Sequence, residues 1–187
     1  MPPKVRITKE DIINTSVELI RENGKSFVNA RSIAAALGCS TQPVFSNFAT
    51  MDELFDSVLK RAHDIYLGFL KREAESGKYP EYKSFGMAYI RFAREERELF
   101  KLLFMCDRGG RELVPTTDYD SSVEMIMSTN GIPKEKAELI HFETWTCVHG
   151  IGTMIATSFL ELDTDTVSTV LTDVYMGIRA RHLREEA

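Results

Sequence analysis

The sequence predicts an all-α protein, and three features support that fold class. Apolar residues recur at the three- and four-residue spacing of amphipathic helices along most of the 187 residues. Residues typical of helix N-caps precede several of these stretches, and glycine ends some of them. No segment shows the sustained apolar–polar alternation of a half-buried strand. We therefore expect three N-terminal helices, followed by a larger helical bundle.

The first domain is expected over residues 1–50. Thr8 is its first predicted N-cap, because the hydroxyl can accept a hydrogen bond from the amide of Asp11. Gly24 ends the helix that Thr8 opens. Asn29 is a second N-cap, and a third, short helix is expected from about residue 40 to residue 48.

The second domain is expected over residues 51–187. Thr50 and Glu53 have the spacing of a capping box, which opens a long fourth helix. Pro133 is expected to be the first residue of a long eighth helix that ends near Leu160. The other helices are predicted over residues 81–94, 96–105, 118–129 and 165–184, with a loop that contains Gly109, Gly110 and Pro115.

Charge is unevenly distributed along the chain. The total is −5, yet residues 1–48 carry a net charge of +2 and the remainder −7. A basic head on an acidic body suits a protein that presents one face to phosphates. No apolar run is long enough to span a bilayer, the first residues lack the apolar stretch of a secretory signal, and three scattered cysteines suggest reduced thiols. These features predict a cytoplasmic protein with no membrane partner.

Residues 29–48 have the pattern of a helix-turn-helix. Gly38 lies at the turn, and the small side chain of Ala34, four residues earlier, lets the two helices cross closely. Val44 and Phe48, one turn apart, are expected to face inward. The opposite face then carries Thr41, Gln42 and Ser46 outward. The second helix of such a motif enters the major groove, where glutamine can pair with adenine. The alternative is a helical hairpin that only packs against its neighbours.

The segment from Thr8 to Leu59 resembles the tetracycline-repressor (TetR) family. The matched elements are Ala34-x-x-x-Gly38, Phe45, Phe48 and the run Asp52-Glu53-Leu54-Phe55. This resemblance implies a ligand-responsive repressor that binds a palindromic operator in double-stranded DNA as a homodimer. The residues expected to contact DNA are Lys9, Arg31, Ser40, Thr41, Gln42, Pro43, Phe45 and Asn47.

Three residues depart from the family pattern. The family usually has Tyr at the position of Phe45, His at Asn47 and Lys at Met51, and these positions typically serve phosphates. Phe45 lacks a hydroxyl donor and Met51 lacks a charge. We therefore expect DNA binding that relies on Lys9, Arg31 and backbone amides, with a shallow dependence on salt.

The body of the chain is rich in large apolar residues, which either fill a core or line a ligand cavity. Trp145 and His149, four residues apart on one helix face, resemble a Trp/His/Gly signature of one TetR subgroup. The resemblance implies an effector pocket for an unknown small molecule. Its predicted lining is Phe69, Phe85, Tyr89, Phe92, Phe104, Trp145 and His149.

The last two predicted helices are expected to form the dimer interface, because they carry small and apolar residues that allow close packing. Packing of this face within the monomer is the alternative. No catalytic pairing, metal-ligand spacing or cofactor motif emerges from the four histidines and the acidic residues. An enzyme is therefore not expected, and a helical adaptor that binds protein without binding DNA is the second hypothesis.

Overall fold

The computed structural model describes residues 7–106 and 117–184, which form nine α-helices and one short 3-10 turn (Lys25–Phe27). The helices are α1 (Lys9–Asn23), α2 (Ala30–Ala36), α3 (Gln42–Asn47), α4 (Met51–Ser76), α5 (Glu81–Glu95), α6 (Arg97–Phe104), α7 (Thr117–Asn130), α8 (Lys134–Ala156) and α9 (Thr164–Arg184). The all-α prediction is confirmed for this part of the chain. Most of the expected loop, with Gly109, Gly110 and Pro115, lies outside the described residues.

The chain divides into two compact units. One comprises residues 1–67 and 96–106, and the other comprises residues 68–95 and 107–187. The first unit therefore includes α6, which comes from a later part of the chain, and α4 contributes residues to both units. The functional boundary expected between residues 50 and 51 stays a prediction.

In the first unit, α1 packs against α2, α3 and α6. Thr8 caps α1 as expected: its hydroxyl accepts from the Asp11 amide at 3.1 Å, while the Asp11 carboxylate accepts from the Thr8 amide at 2.8 Å. The core consists of fully buried aliphatic side chains from successive helices, which are Ile12, Ile20, Ile33, Val44, Leu54 and Val58. Burial of this set stabilises three helices that are too short to persist alone.

In the second unit, α5 packs against α7, α8 and α9, and α8 also packs against α7 and α9. Phe92 and Ile90 of α5 are fully or almost fully buried. A separate cluster of buried aliphatic residues joins α7 to α8 and is partly covered from α9 by Ile178. Two small residues of α8, Gly152 and Ala156, are buried within the chain itself and are therefore not available to the expected dimer interface.

The structure corrects two helix starts and one detail of a third. The short helix α3 begins at Gln42, two residues later than expected, and Thr41 precedes it. Pro133 is the N-cap of α8 and not its first helical residue. Thr50 accepts from the Glu53 amide at 3.1 Å, but the Glu53 carboxylate turns back to the Ala49 amide at 2.7 Å, so the expected reciprocal capping box is not formed with Thr50.

Candidate functional site

The rotation of α3 about its axis is set by two buried side chains. Val44 retains 1% of its exposure and Phe48 retains 2%. They lie four residues apart, which places them on one face of a helix. Because α3 also packs against α1 and α2, the opposite face points to solvent. Gly38, with a φ of +64°, forms the turn before it in a conformation that glycine adopts readily.

The outward face of α3 and its approach carries the predicted DNA contacts. Ser40, Gln42 and Phe45 are exposed, and Thr41 is half-buried. Within residues 7–106 and 117–184, the side chains of Ser40 and Gln42 make no hydrogen bond. The Gln42 amide is therefore available to both a donor and an acceptor.

Two other polar side chains of α3 are already occupied. The Ser46 hydroxyl donates to the Gln42 carbonyl at 2.9 Å, and the Asn47 amide donates to the Pro43 carbonyl at 2.8 Å. Both bonds run one turn back along the helix to carbonyl oxygens of its first two residues. Pro43 and Asn47 are half-buried, so they are less accessible than Gln42.

The two basic residues predicted to hold phosphates differ in their surroundings. The Lys9 ammonium lies 3.3 Å from the Glu53 carboxylate and 4.9 Å from the centre of the Phe48 ring. Its charge is partly compensated within the protein. Arg31 is exposed, and its side chain makes no ion pair in the part of the chain that the structure describes. Arg31 is thus the more available cation.

An ion pair that the sequence did not indicate joins α1 to the start of α6. The Arg21 guanidinium donates to both oxygens of Glu96, at 2.8 Å from Nε and 2.6 Å from Nη2. This bidentate contact raises the pKa of Arg21 above its usual value. The partners are 75 residues apart, so no local spacing could have revealed the pair.

In the second unit, three of the predicted ligand residues come together. The Tyr89 hydroxyl lies 2.8 Å from Nδ1 of His149, and the Trp145 indole stacks on the His149 imidazole with ring centres 4.9 Å apart and planes 16° apart. Phe142 also stacks against Trp145, at 6.5 Å between ring centres. We call Tyr89, Phe142, Trp145 and His149 the aromatic site. Phe142 was not among the ligand residues predicted from the sequence, although the spacing of Phe142, Trp145 and His149 places all three on one face of α8.

Burial governs the protonation of the aromatic site. It lowers the pKa of His149 below the ordinary value of 6.5, because a charged imidazole is poorly solvated there. Tyr89 is buried, while Trp145 retains 39% and Phe142 retains 60% of their exposure. The site therefore combines a fixed, neutral imidazole at His149 with accessible aromatic surface on Trp145 and Phe142.

The remaining predicted ligand residues are distributed elsewhere. Phe69 and Phe92 meet edge to face at 5.3 Å in the second unit, where Phe85 is half-buried on α5. Phe104 belongs to the first unit, where its ring lies 5.3 Å from that of Tyr66. The structure thus does not bring all seven residues into one described cluster, and the role of each stays a prediction.

A second tyrosine–histidine contact escaped the sequence reasoning. The Tyr82 hydroxyl lies 3.1 Å from Nδ1 of His141, and the Tyr119 ring meets His141 edge on at 5.1 Å. Burial raises the pKa of Tyr82 well above its ordinary value. The residues come from α5, α7 and α8, so only the tertiary fold assembles them.

No protein-family model matches the chain, and no curated protein matches it in sequence. Solved structures do match it over nearly its whole length. A TetR-like transcriptional regulator from Rhodococcus sp. RHA1 is similar with a TM-score of 0.68 and 16% identity, covering 94% of this chain and 96% of that one. The chain has the fold of TetR-like regulators.

Two further structures share this TetR-like fold. A protein of unknown function from Rhodococcus sp. RHA1 is similar with a TM-score of 0.73 and 20% identity, over 95% of this chain and 98% of that one. The multidrug binding protein EbrR, solved in complex with imidazole, is similar with a TM-score of 0.58 and 16% identity, over 89% of this chain and 93% of that one. Among the described residues, no helix is long and apolar enough to cross a membrane.

The lowered pKa of His149 predicts a pH dependence of stability. Between the folded-state pKa and 6.5, the unfolded chain binds a proton at His149 that the folded chain does not. The free energy of unfolding should therefore fall as the pH drops through this window. Urea unfolding of wild type and His149→Gln at a series of pH values measures the difference, and an NMR titration of the imidazole gives its midpoint.

The variant should lose part of the acid-side slope, whereas His63→Gln, which leaves His149 in place, should retain it. A His149 midpoint at or above 6.5 would contradict the prediction.

Proposed function

We propose that this chain is a homodimeric, ligand-responsive DNA-binding regulator of transcription, and that it represses by occupying a palindromic operator in the cytoplasm. The outward face of α3 carries the proposal, because it presents Gln42 and Phe45 from a helix whose other side is buried. The TetR-like fold, which matches over 94% of the chain, supports it. An adaptor that binds only protein is the alternative, and it does not require an outward glutamine.

DNA binding is proposed to follow the geometry of the helix-turn-helix. α3 would lie in the major groove, with Gln42 and Thr41 near base edges and Arg31 at the phosphate backbone. One six-residue helix reads too few bases for a specific site. Two copies, with recognition helices about 34–36 Å apart, would read both halves of a palindrome.

The dimer is proposed to form through the solvent-facing sides of α8 and α9. Leu139 on α8 retains 46% of its exposure, and Met176 on α9 retains 51%. Gly150 and Gly177 lie inside these helices with nothing within 4 Å of the position that a Cβ would take. An interior helical glycine costs about 1 kcal/mol relative to alanine. Contacts with a second copy would offset that cost, since helices without side chains at the contact pack closely.

The effector is proposed to bind at the aromatic site. The stacked Trp145 and His149 offer a flat surface to a planar molecule, and Tyr89 holds the imidazole in one orientation. The similar structure of EbrR is that of a multidrug binding protein, which supports a small-molecule role for the second unit. Binding there would lower operator affinity if the DNA-bound state took up the effector less well.

The DNA-binding proposal predicts that the double variant Arg31→Ala, Gln42→Ala loses operator affinity by at least about tenfold, because base and phosphate contacts are removed together. Both side chains are exposed, so the fold should be preserved. Operator fragments are first selected from a randomised DNA duplex pool, and affinity is then measured by fluorescence anisotropy.

Lys71→Ala serves as the matched control, since Lys71 is an exposed cation on α4 in the second unit. It should bind DNA as wild type does. Equal affinity of wild type and the double variant would contradict the proposed contacts of Arg31 and Gln42, whereas selection of no DNA by wild type would favour the adaptor.

The dimer proposal predicts that wild type sediments at twice the chain mass of 21.2 kDa. Leu139→Glu combined with Met176→Glu should raise the dimer dissociation constant by about tenfold or more, because two charges per subunit would be buried without partners. Analytical ultracentrifugation measures the constant. Phe27→Glu, which alters an equally exposed apolar residue in the first unit, should leave it unchanged. A monomeric wild type would refute the proposed interface.

The effector proposal predicts that a compound that quenches the fluorescence of Trp145, the single tryptophan of the chain, weakens operator binding. A panel of planar aromatic compounds is screened by this quenching, and each compound that binds is tested at saturation against the selected operator. Linkage requires that the operator weaken binding of the compound by the same factor. Binding of such compounds with no change in operator affinity would contradict the mechanism.

A further inference from the structure

The recognition helix α3 carries no charge and exposes one large apolar ring. Its sequence is Gln42-Pro43-Val44-Phe45-Ser46-Asn47, and Phe45 retains 55% of its exposure. The neighbouring Val44 is buried, so the exposure of Phe45 follows from the rotation of the helix and not from a loose segment. Across the described residues, the Phe45 ring has no aromatic or cationic partner.

The chemistry of the exposed ring limits what it can contact. A phenyl group has no hydroxyl, so it cannot donate a hydrogen bond to a phosphate as a tyrosine would. The polar side chains beside it do not compensate, because Ser46 and Asn47 donate to backbone carbonyls of their own helix. In a major groove, the apolar group that such a ring can cover is the C5-methyl of thymine.

We propose that Phe45 is a specificity-determining residue that contacts a thymine methyl in the operator, next to the adenine paired with Gln42. This inference rests on the proposed function and adds the base class that α3 reads. The operator should therefore contain at least one A·T pair in each half-site where α3 enters the groove.

The spacing of the two side chains supports adjacent contacts. Gln42 and Phe45 are three residues apart on α3, so their Cβ atoms are separated by about 5–6 Å. Successive bases are about 3.4 Å apart along a strand. The amide and the ring can thus reach the same base pair or neighbouring pairs, while the aliphatic Val44 stays in the core.

The test removes the methyl group from the DNA and the ring from the protein, separately and together. Full-length protein selects operators from a randomised duplex pool. Each thymine of a selected operator is then replaced in turn by deoxyuridine, which keeps the base pair and deletes only the methyl. Affinity is measured for wild type, Phe45→Ala and the control Ser46→Ala.

For wild type, one thymine in each half-site should show a roughly fourfold loss of affinity on replacement, the effect of uncovering one buried methyl group. Ser46→Ala should show the same loss at the same position. In Phe45→Ala the replacement should have no effect there, because the ring that covers the methyl is gone. Phe45→Tyr, which keeps the ring, should remain sensitive to the methyl.

Two results would overturn the inference while leaving DNA binding intact. One is a wild type that is insensitive to deoxyuridine at every thymine, and the other is an equal loss in wild type and Phe45→Ala. In either case the exposed ring serves another partner. Selection of no duplex at all would overturn the proposed function, and the inference would fall with it. Matching thermal unfolding curves of the variants exclude a folding defect as the cause of lost coupling.

Discussion

The burial of Val44 and Phe48 is the constraint on which the candidate DNA-binding face depends. A six-residue helix such as α3 is too short to be stable in water, so it exists because these two side chains are enclosed by the first unit. The same burial fixes the rotation of α3 and decides which residues face solvent. Because Val44 is buried, the face of α3 that carries Gln42 and Phe45 is exposed. The packing of the core therefore determines which residues form the proposed recognition surface.

Hydrogen bonding within α3 narrows that surface further. Ser46 and Asn47 are polar residues of the kind that could contact DNA, yet each donates to a carbonyl one turn back. Lys9 is close to Glu53, and Arg31 is the more available cation. The resulting face has little charge. Its selectivity would come from shape, one amide and one apolar ring, with a smaller contribution from phosphate neutralisation than in a strongly basic helix.

The second unit combines order with exposure in its aromatic site. Tyr89 and the stacked indole of Trp145 restrain His149, and burial keeps the imidazole neutral near pH 7. Phe142 extends the stack to the surface. A rigid apolar surface loses little conformational entropy when a flat molecule settles on it, which makes the site suitable for an effector. The open glycines of α8 and α9 lie at different positions, so effector and dimer contacts need not compete for the same residues.

The sequence by itself determined the helices, most of their ends and the inward pair Val44 and Phe48, because capping and apolar periodicity are local properties. It also placed Gln42 outward and set Trp145 and His149 on one helix face. Only the tertiary structure decided that the Tyr89 hydroxyl contacts His149 and that Arg21 forms an ion pair with Glu96. Pairs 60 and 75 residues apart have no spacing to read. Whether a polar side chain faces solvent, bonds to the backbone or contacts a distant residue depends on the packing around it.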